Sequence, residues 1–353
     1  LPARAQFIFR SEVPRVIHAY ARVVRGGITE SLHRMRVRVV TAEGQPLLEA
    51  GNQDAVTLLR SSWKPLQALG IVSWGTADAL GLTDSELAVC CASHSGAQVH
   101  LDNVRSLLRK GGLDESLLRC GAHWPADGAM ADSLRTAGEE PSSIHNNCSG
   151  KHAGMLVRCV HQGYPTEDYL NPEHPVQRRM IEDAASICGV RPRDFTIGID
   201  GCTAPTWGLR LSAEALGWAR LGAAWDGFAE AGSRITRAMG SNPVLVAGEG
   251  SADTRVMQVT GGRIVCKGGA EACAGLCIPS EGIGLALKCE DGNPRGVWTV
   301  VLEILRRLDL LSAEELEQLA DIRRPTLRNR NRLDVGHIEP VIGDEPPESA
   351  WSI

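Results

Sequence analysis

Residues 60–65 read RSSWKP, and at this stretch the strand-like patterning of the chain gives way to helical patterning. Residues three apart on a helix share a face, so Ser61 is predicted beside Lys64, whereas Ser62 points elsewhere. Pro65 fits the first turn of that helix, where its missing N–H would have had no partner. The stretch therefore predicts the start of a helix that brings a serine and a lysine together.

The S-x-x-K spacing of Ser61 and Lys64 is typical of one kind of nucleophilic catalysis. A serine hydroxyl becomes a good nucleophile only when a neighbouring base takes its proton. Lys64 can be that base if burial or nearby positive charge holds its amine neutral. The ordinary alternative is a capping serine followed by an exposed lysine, because so short a motif occurs by chance in many chains.

Strand-like segments lie on both sides of the middle of the chain. Residues 15–50 predict a β-meander that is broken at Gly26-Gly27 and at the turn 42–44. Residues 255–269 predict a hairpin around Gly261-Gly262, and residues 283–292 predict a further strand.

The middle of the chain, from Ser61 to about Gly240, is mainly helical in its apolar spacing. Glycines end the predicted helices 101–112, 174–189, 212–222 and 227–240, and two later helices are predicted at about 297–308 and 312–321. The interruptions carry the unusual residues and are the expected places for function, at 91–96, 145–154 and 197–206.

These patterns predict an α+β fold, an α/β/α sandwich in which N- and C-terminal strands form one antiparallel sheet. The chain shows no Pro/Ser-rich linker, low-complexity tract or repeat. We therefore expect a single unit over residues 1–353, with an α-helical subregion within about 61–240.

Bulk composition narrows the class of function. A formal charge of −5 with interspersed signs argues against general binding to nucleic acid or to a membrane surface, and favours small neutral or zwitterionic partners. No apolar stretch of about 18 residues and no signal-peptide pattern is found, so we expect a soluble cytoplasmic protein. The odd number of cysteines, 11, without C-x-x-C pairs, predicts reduced and mostly buried thiols.

Two further motifs extend the Ser61–Lys64 pair. Ser93-His94-Ser95 follows a predicted helix, and Lys267-Gly268-Gly269 lies on a predicted strand. An S-x-x-K, an S-x-N-like triplet and a K-T-G-like strand occur in this order in serine β-lactamases and penicillin-binding proteins. In that arrangement the second serine relays protons and the strand lysine helps to keep the first lysine neutral. The match is imperfect, because Ser95 replaces Asn and Gly268 replaces Thr.

A second constellation contains Cys148, Lys151 and Cys202, with Asp200 beside the last. Two thiolates and a deprotonated amine can fill three positions of a tetrahedral zinc ion, leaving one for water or substrate. The plainer interpretation is that both cysteines are buried thiols and the lysine caps a loop. A third interpretation pairs His152 with Cys148 as in cysteine hydrolases.

Together these residues resemble those of the rhizobial-type (thermolabile, class 3) L-asparaginase family. The resemblance runs in family order from about residue 20 to 340. It is carried by VVRGGITESLHR (23–34), RSSWKPLQAL (60–69), CASHSG (91–96), HNNCSGKHAGML (145–156), HPVQRRM (174–180), GIDGCTAPT (198–206) and CKGGAE (266–271).

The resemblance implies a serine β-lactamase/glutaminase-like fold and hydrolysis of L-asparagine to L-aspartate and ammonia. It implies two Ser-Lys pairs, Ser61 with Lys64 and Ser93 with Lys267. We also expect a homodimer.

A zinc site is implied by the same resemblance. Its ligands would be Cys148, Lys151 and Cys202, with Asp200 next to the metal-bound water. This site would orient the substrate through Asp200, Cys148 and Lys151 rather than generate hydroxide, and turnover would not strictly require the metal.

Some positions depart from the family pattern. Trp63 stands where a small residue is expected, Asp253 stands where some members have another cysteine, and the Trp-rich segment 207–225 is unfamiliar. The remaining alternatives are a related Ser-Lys amidase acting on glutamine or a β-lactam, and a catalytically silent binding module in which zinc holds loops together.

Overall fold

The computed structural model describes residues 17–344 and 346–351. Its strands, in chain order, are β1 (His18–Arg25), β2 (Ile28–Thr41), β3 (Pro46–Ala50), β4 (Val56–Leu58), β5 (Thr196–Ile199), β6 (Pro205–Arg210), β7 (Val265–Gly269), β8 (Cys273–Ile278), β9 (Ile283–Cys289), β10 (Thr326–Arg328) and β11 (Asp334–Gly343). Its helices are α1 (Lys64–Ser73), α2 (Thr76–Ala79), α3 (Asp84–Cys90), α4 (Gln98–Lys110), α5 (Gly128–Ala137), α6 (Ser149–Gln162), α7 (Pro175–Cys188), α8 (Leu211–Gly222), α9 (Ala229–Ser241), α10 (Pro243–Ala247), α11 (Ala252–Val259), α12 (Val297–Arg307), α13 (Ala313–Gln318) and α14 (Ala320–Arg323).

The main sheet joins early and late strands of the chain, as predicted. Its order is β10-β11-β1-β2-β9-β8-β7, and β3 pairs with β2. Ala21 on β1 stands opposite His33 on β2 and opposite Pro340 on β11. All the ladders between these strands are antiparallel. The prediction of an antiparallel sheet with a helical middle region is confirmed.

Helices cover both faces of this sheet. On one face α8 packs against β2, β8 and β9. A Cβ at Gly284 would collide with the backbone of α8, which shows how closely that helix approaches β9. On the other face α12 packs against β1, β9 and β11. The α/β/α sandwich is therefore confirmed.

One predicted strand is wrong. Residues 255–259, expected as the first half of a hairpin, belong to helix α11, and β7 pairs with β8 instead. The helix begins after Ser251, whose Oγ accepts a hydrogen bond from Thr254 N at 3.2 Å. Val256 and Met257 are both buried. The serine cap and the packing of consecutive apolar side chains favour a helix over the alternating pattern of a strand.

A small second sheet has two of its three strands, β5 and β6, inside the region expected to be helical. Its order is β4-β6-β5, and residues 197–206, expected as an interruption between helices, span the end of β5 and the start of β6. The fully buried Trp63 lies 5.7 Å from Trp207 on β6 and 6.0 Å from Phe195, measured between ring centroids. This aromatic cluster accounts for the large residue at position 63 and for part of the Trp-rich segment.

The predicted state of the cysteines is confirmed. All 11 are free thiols, and all are buried. None of the helices in the described part of the chain is both long enough and apolar enough to span a bilayer.

Candidate active site

Lys64 and Ser93 form a direct contact in the interior. Lys64 is the first residue of α1 and is 1% exposed, and Ser93 follows the end of α3. The Nζ of Lys64 donates hydrogen bonds to Ser93 Oγ at 2.9 Å and to the carbonyl oxygen of Ala92. Ser93 is held in turn by its N–H, which donates to Val246 O at 2.9 Å. A buried amine thus has a hydroxyl partner at hydrogen-bond distance.

The surroundings of Lys64 favour its neutral form. Burial lowers the pKa of Lys64 below its usual value, and the positive charges of Lys151 and Lys267 lower it further. The thiols of Cys148 and Cys202 raise this pKa, but they do not outweigh the burial. An amine in this state can accept a proton from a hydroxyl group.

The serine turn, Arg60–Trp63, is a short 3-10 segment that leads into α1. Ser61 therefore precedes α1, and its carbonyl oxygen accepts a hydrogen bond from the N–H of Lys64. Among the described residues Ser61 Oγ has no hydrogen-bond partner, and Lys64 contacts Ser93 instead. Strand β7 packs on this turn, since a Cβ at Gly269 would lie 3.1 Å from the backbone nitrogen of Ser61.

Arg60 has an unusual backbone conformation. Its φ angle is +48°, in the left-handed region that bulky residues seldom adopt. Its guanidinium donates to Asp200 Oδ1 from Nε at 2.9 Å and from Nη2 at 2.6 Å. Non-glycine residues in this region often lie at functional sites, where the surrounding structure holds them. No local sequence pattern points to Arg60, because a left-handed backbone conformation at this residue leaves no signal in the sequence.

Lys267 lies on β7, as predicted, and is 2% exposed. Its Nζ donates to the carbonyl oxygen of Gly268 at 2.6 Å and lies 3.6 Å from Asp253 Oδ2. The same carboxylate oxygen accepts a hydrogen bond from Gly268 N at 2.6 Å. A Cβ at Gly268 would come within 3.0 Å of Asp253 Oδ1. The carboxylate at position 253 thus accounts for glycine where related motifs have threonine.

The thiol corner consists of Cys148, Lys151 and Cys202. Lys151 Nζ donates to Cys202 Sγ at 3.1 Å. The two thiols affect each other: Cys202, with Lys64 and Lys151, holds the pKa of Cys148 well below its usual value, and Cys148 raises the pKa of Cys202. Burial alone would lower the pKa of Lys151, but Cys202, Cys148 and Asp200 outweigh it and raise this pKa.

Lys64 connects the two groups of residues. It lies near Cys148, which raises its pKa, and it also contacts Ser93. The serine turn joins the same region, because Arg60 binds Asp200 two residues before Cys202. The structure thus brings the sequence-selected residues of distant segments to one place.

Asp200 is ionised in this setting. Burial would raise its pKa, but Lys151 and Arg60 together hold this pKa below its usual value. Its carboxylate is directed to Arg60 and to the N–H of Gly201, which donates to Oδ1 at 2.7 Å.

The donor set of the thiol corner fits a soft, tetrahedral metal such as zinc. It offers two sulfur atoms, which zinc prefers, and one amine nitrogen, which must lose its proton before it can bind a metal. The nitrogen and one sulfur are already 3.1 Å apart.

A different cluster consists of His33, Cys289 and Asp291, whose ligand atoms lie within 4.8 Å of one another. Among the described residues it is the one such group of three His, Cys, Asp or Glu side chains. There Arg295 Nε donates to His33 Nε2, which leaves the ring proton on Nδ1 facing Asp291. That network is satisfied without a metal.

The pairing of His152 with Cys148 is not observed. His152 Nδ1 instead lies 2.7 Å from Tyr169 Oη, and the ring is fully buried. Burial lowers the pKa of His152 well below its usual value. The structure therefore contradicts a cysteine-hydrolase arrangement at this position.

Comparison with protein families decides the class of the chain. The family model described as L-asparaginase II matches residues 21–340.

The chain belongs to the L-asparaginase II family.

This L-asparaginase II family member is accordingly an amidohydrolase, a hydrolase that acts on carbon–nitrogen bonds. No curated protein sequence matches it. Similar solved structures include "Crystal Structure Analysis of Mglu", with 15% identity, coverage of 80% of this chain and 69% of that chain, and a TM-score of 0.42. The structure of Mglu "in its native form" has 14% identity, coverage of 80% and 66%, and a TM-score of 0.44.

Proposed function

We propose that this amidohydrolase converts L-asparagine and water to L-aspartate and ammonia by Ser-Lys acyl transfer. The observation that carries the proposal is the contact of Lys64 with Ser93 at 2.9 Å, beside the serine turn. A buried amine with a depressed pKa, in contact with a hydroxyl group, suits general base catalysis.

Ser61 is the proposed nucleophile. Its Oγ has no hydrogen-bond partner among the described residues, and it follows the strained Arg60. In the first half of the reaction Ser61 Oγ bonds to the side-chain amide carbon, Lys64 accepts the hydroxyl proton, and the C–N bond breaks. The proton returns to the leaving nitrogen, so ammonia departs. In the second half water attacks the ester, and L-aspartate leaves as Ser61 regains its proton.

Ser93 and Lys267 complete the proposed proton network. Ser93 hydrogen-bonds Lys64 and can pass a proton between that amine and the leaving group. Lys267 contributes positive charge that lowers the pKa of Lys64. Its ammonium is anchored by Gly268 O and by Asp253.

The thiol corner is the proposed place of zinc and of substrate binding. Cys148, Lys151 and Cys202 would hold the metal, which supplies Lewis-acid attraction for an anionic substrate group. Asp200 and Arg60 present opposite charges side by side, 2.6 Å apart. Such a pair is complementary to the ammonium and carboxylate of a free amino acid.

A cytoplasmic location and a homodimer also belong to this proposal. Eleven free, buried thiols suit a reducing compartment. Fractionation of the expressing cells and sedimentation of the purified protein test these two points.

The decisive experiment is an ammonia-coupled assay with asparagine and with glutamine, each with and without a zinc chelator. Ammonia release from asparagine alone supports the proposal. Release from glutamine alone identifies a glutaminase, and release from neither with intact binding of asparagine identifies a silent binding module.

The choice of nucleophile is tested by trapping. A reactive-carbonyl analogue of asparagine is expected to label Ser61 in wild type, as read by peptide mass mapping. Ser61→Ala should abolish the label, whereas Ser73→Ala, a change at an exposed serine of α1, should leave it intact. A label on Ser93 would assign the attack to that residue instead.

A further inference from the structure

Glu214 is a carboxyl group buried directly beneath the serine turn. It lies in α8 and is 0% exposed. Its Oε1 is 2.5 Å from the Oγ of Ser62, the second serine of the turn. Ser62 was set aside by the S-x-x-K spacing, and Glu214 is not part of any motif, so neither residue has a place in the chemistry described so far.

The hydrogen bonds of Ser62 fix the position of one proton. Its Oγ lies 2.5 Å from Leu59 O and 2.5 Å from Glu214 Oε1. A serine hydroxyl has a single proton, and a carbonyl oxygen only accepts. If Ser62 donates to Leu59, its contact with Glu214 is a hydrogen bond only when the carboxyl group itself carries a proton. If Ser62 donates to Glu214 instead, no proton lies between Ser62 Oγ and Leu59 O, although these two oxygen atoms are 2.5 Å apart.

The surroundings of Glu214 agree with this proton count. Burial raises the pKa of Glu214 to about 8, although Ser62 and the indole of Trp218 lower it. None of the charged side chains in the described part of the chain contributes to that pKa. The titratable groups that face it from packed elements are Cys188 of α7 and Cys273 of β8, and burial raises the pKa of both thiols.

The bonded chain from Glu214 through Ser62 to Leu59 closes the serine turn around its two functional residues. Arg60 and Ser61 lie between Leu59 and Ser62, and the N–H of Ser62 also donates to Leu59 O at 3.1 Å. The left-handed conformation of Arg60 is held in this closed turn. Anything that opens the contact at Ser62 would therefore displace Ser61.

We propose that Glu214 is a positioning residue that locks the serine turn as a neutral carboxylic acid, and that loss of its proton in alkaline solution loosens the turn. The effect on turnover rests on the proposed function, whereas the protonation state and the turn do not.

The protonation is tested by comparing the unfolding of wild type and Glu214→Gln from pH 5 to pH 10 in reducing buffer. A glutamine keeps an N–H donor for Ser62 but does not titrate. In the unfolded chain the carboxyl group has its ordinary pKa of about 4.5, whereas in the folded protein burial raises this pKa to about 8. The folded state therefore holds the extra proton between these values, and wild type loses stability relative to the variant as pH rises.

The expected size of this loss is about tenfold in the folding equilibrium constant per pH unit, because one proton is linked to folding. The difference between the two proteins should level off above about pH 8. Glu303→Gln is the matched control, since arginines lower the pKa of Glu303 and its contribution is lost only on acidification. Parallel curves for wild type and Glu214→Gln above pH 5 would overturn the proposal.

The positioning role is tested with Glu214→Leu, which fills similar volume without a donor. We expect kcat to fall about tenfold with KM within about twofold, because a displaced nucleophile affects the chemical step most. Glu214→Gln should restore kcat to within about threefold of wild type. Equal kcat in the Leu and Gln variants would overturn the positioning role.

A readout without substrate keeps this test independent of the proposed reaction. The fluorescence of the buried Trp63, which lies in the serine turn, should change between pH 7 and 9 in wild type. The same change should be absent in Glu214→Gln. An identical fluorescence titration in both proteins would also count against the proposal, whether or not asparagine is the substrate.

Discussion

Two buried lysines lie in the same region and have opposite tendencies. Lys64 is 1% exposed and Lys151 is 5% exposed, so burial disfavours the charge of both. Lys64 hydrogen-bonds a carbonyl and a hydroxyl group, and its pKa is lowered. Lys151 contacts the thiol of Cys202, and its pKa is raised.

Burial alone therefore does not decide which of the two amines is neutral. Both lysines lie near Cys148, but only Lys151 is also in contact with Cys202 and near the carboxylate of Asp200. At Lys151 the two thiols and the Asp200 carboxylate outweigh the cost of burying a charge, whereas at Lys64 the two thiols do not, because burial and the charges of Lys151 and Lys267 oppose them. One region thus contains a lysine whose neutral form is favoured and a lysine whose charged form is favoured.

The largest loss of activity is expected when Lys64 is replaced. Lys64→Met removes the base while keeping the length and apolar part of the side chain. We expect kcat/KM for asparagine to fall by about 10³-fold, the usual scale for loss of a general base. Zinc content should stay at the wild-type level, because the thiol corner is intact. Ammonia release and metal analysis of the same sample provide the measurement.

Lys288→Met serves as the control for that change. Lys288 lies on β9 and donates to the carbonyl oxygen of Glu271. Its loss should leave kcat/KM within about twofold of wild type. Near-normal activity in Lys64→Met would remove this amine from the proton network.

The second prediction tests whether the thiol corner binds zinc. Cys202→Ser removes one of the two soft donors, and we expect zinc affinity to fall by at least about 100-fold. Activity should fall far less than in Lys64→Met, because the metal orients substrate and the base remains. Competition with a chromogenic chelator measures the affinity.

Cys120→Ser provides a matched buried cysteine. Its thiol donates to Ser143 O at 3.1 Å, a bond that a serine hydroxyl can replace. Equal losses of zinc affinity in the two variants would point to general destabilisation instead of ligand removal.

The third and smallest effect is expected at Asp253. Asp253→Asn keeps an acceptor for Gly268 N but removes the negative charge 3.6 Å from Lys267. The less neutralised Lys267 then lowers the pKa of Lys64 further. Because Lys64 must be neutral to act, the acidic limb of the kcat/KM profile should move to lower pH, with less than about a threefold change at the optimum.

Asp309→Asn, at an exposed position after α12, is the reference for this profile. Its acidic limb should coincide with that of wild type. A shift of the Asp253→Asn limb to higher pH would contradict the assigned direction of the electrostatic coupling.

Local sequence patterns predict most of the fold. The alternation in residues 18–41 and the glycines after α7 and after α4 are local signals, and they predicted these elements correctly. Strands β5 and β6 were missed because each is short and depends on pairing with the other. The apolar pattern of residues 255–259 favours a strand, whereas the capping serine before them favours the helix α11 that is observed.

Sequence found the chemical groups of the site but not all of their partners. The S-x-x-K spacing identified Lys64, but its contact with Ser93 depends on where α3 ends relative to α1, which is a tertiary property. Arg60 and Glu214 left no signal, since their importance comes from a backbone angle and from burial. The roles of the predicted site residues remain predictions for the experiments above.

The interleaving of early and late strands has a consequence for how the molecule is made. Arg22 on β1 pairs with Glu339 on β11, 317 residues further along. As the chain leaves the ribosome, β1 must wait for β11 and β2 must wait for β9, which are both synthesised much later. Contacts so distant in sequence also slow folding. A nascent chain stalled before β7 lacks Lys267 and five of the eight strands of the main sheet, so the proposed site can assemble only after β7 has been made.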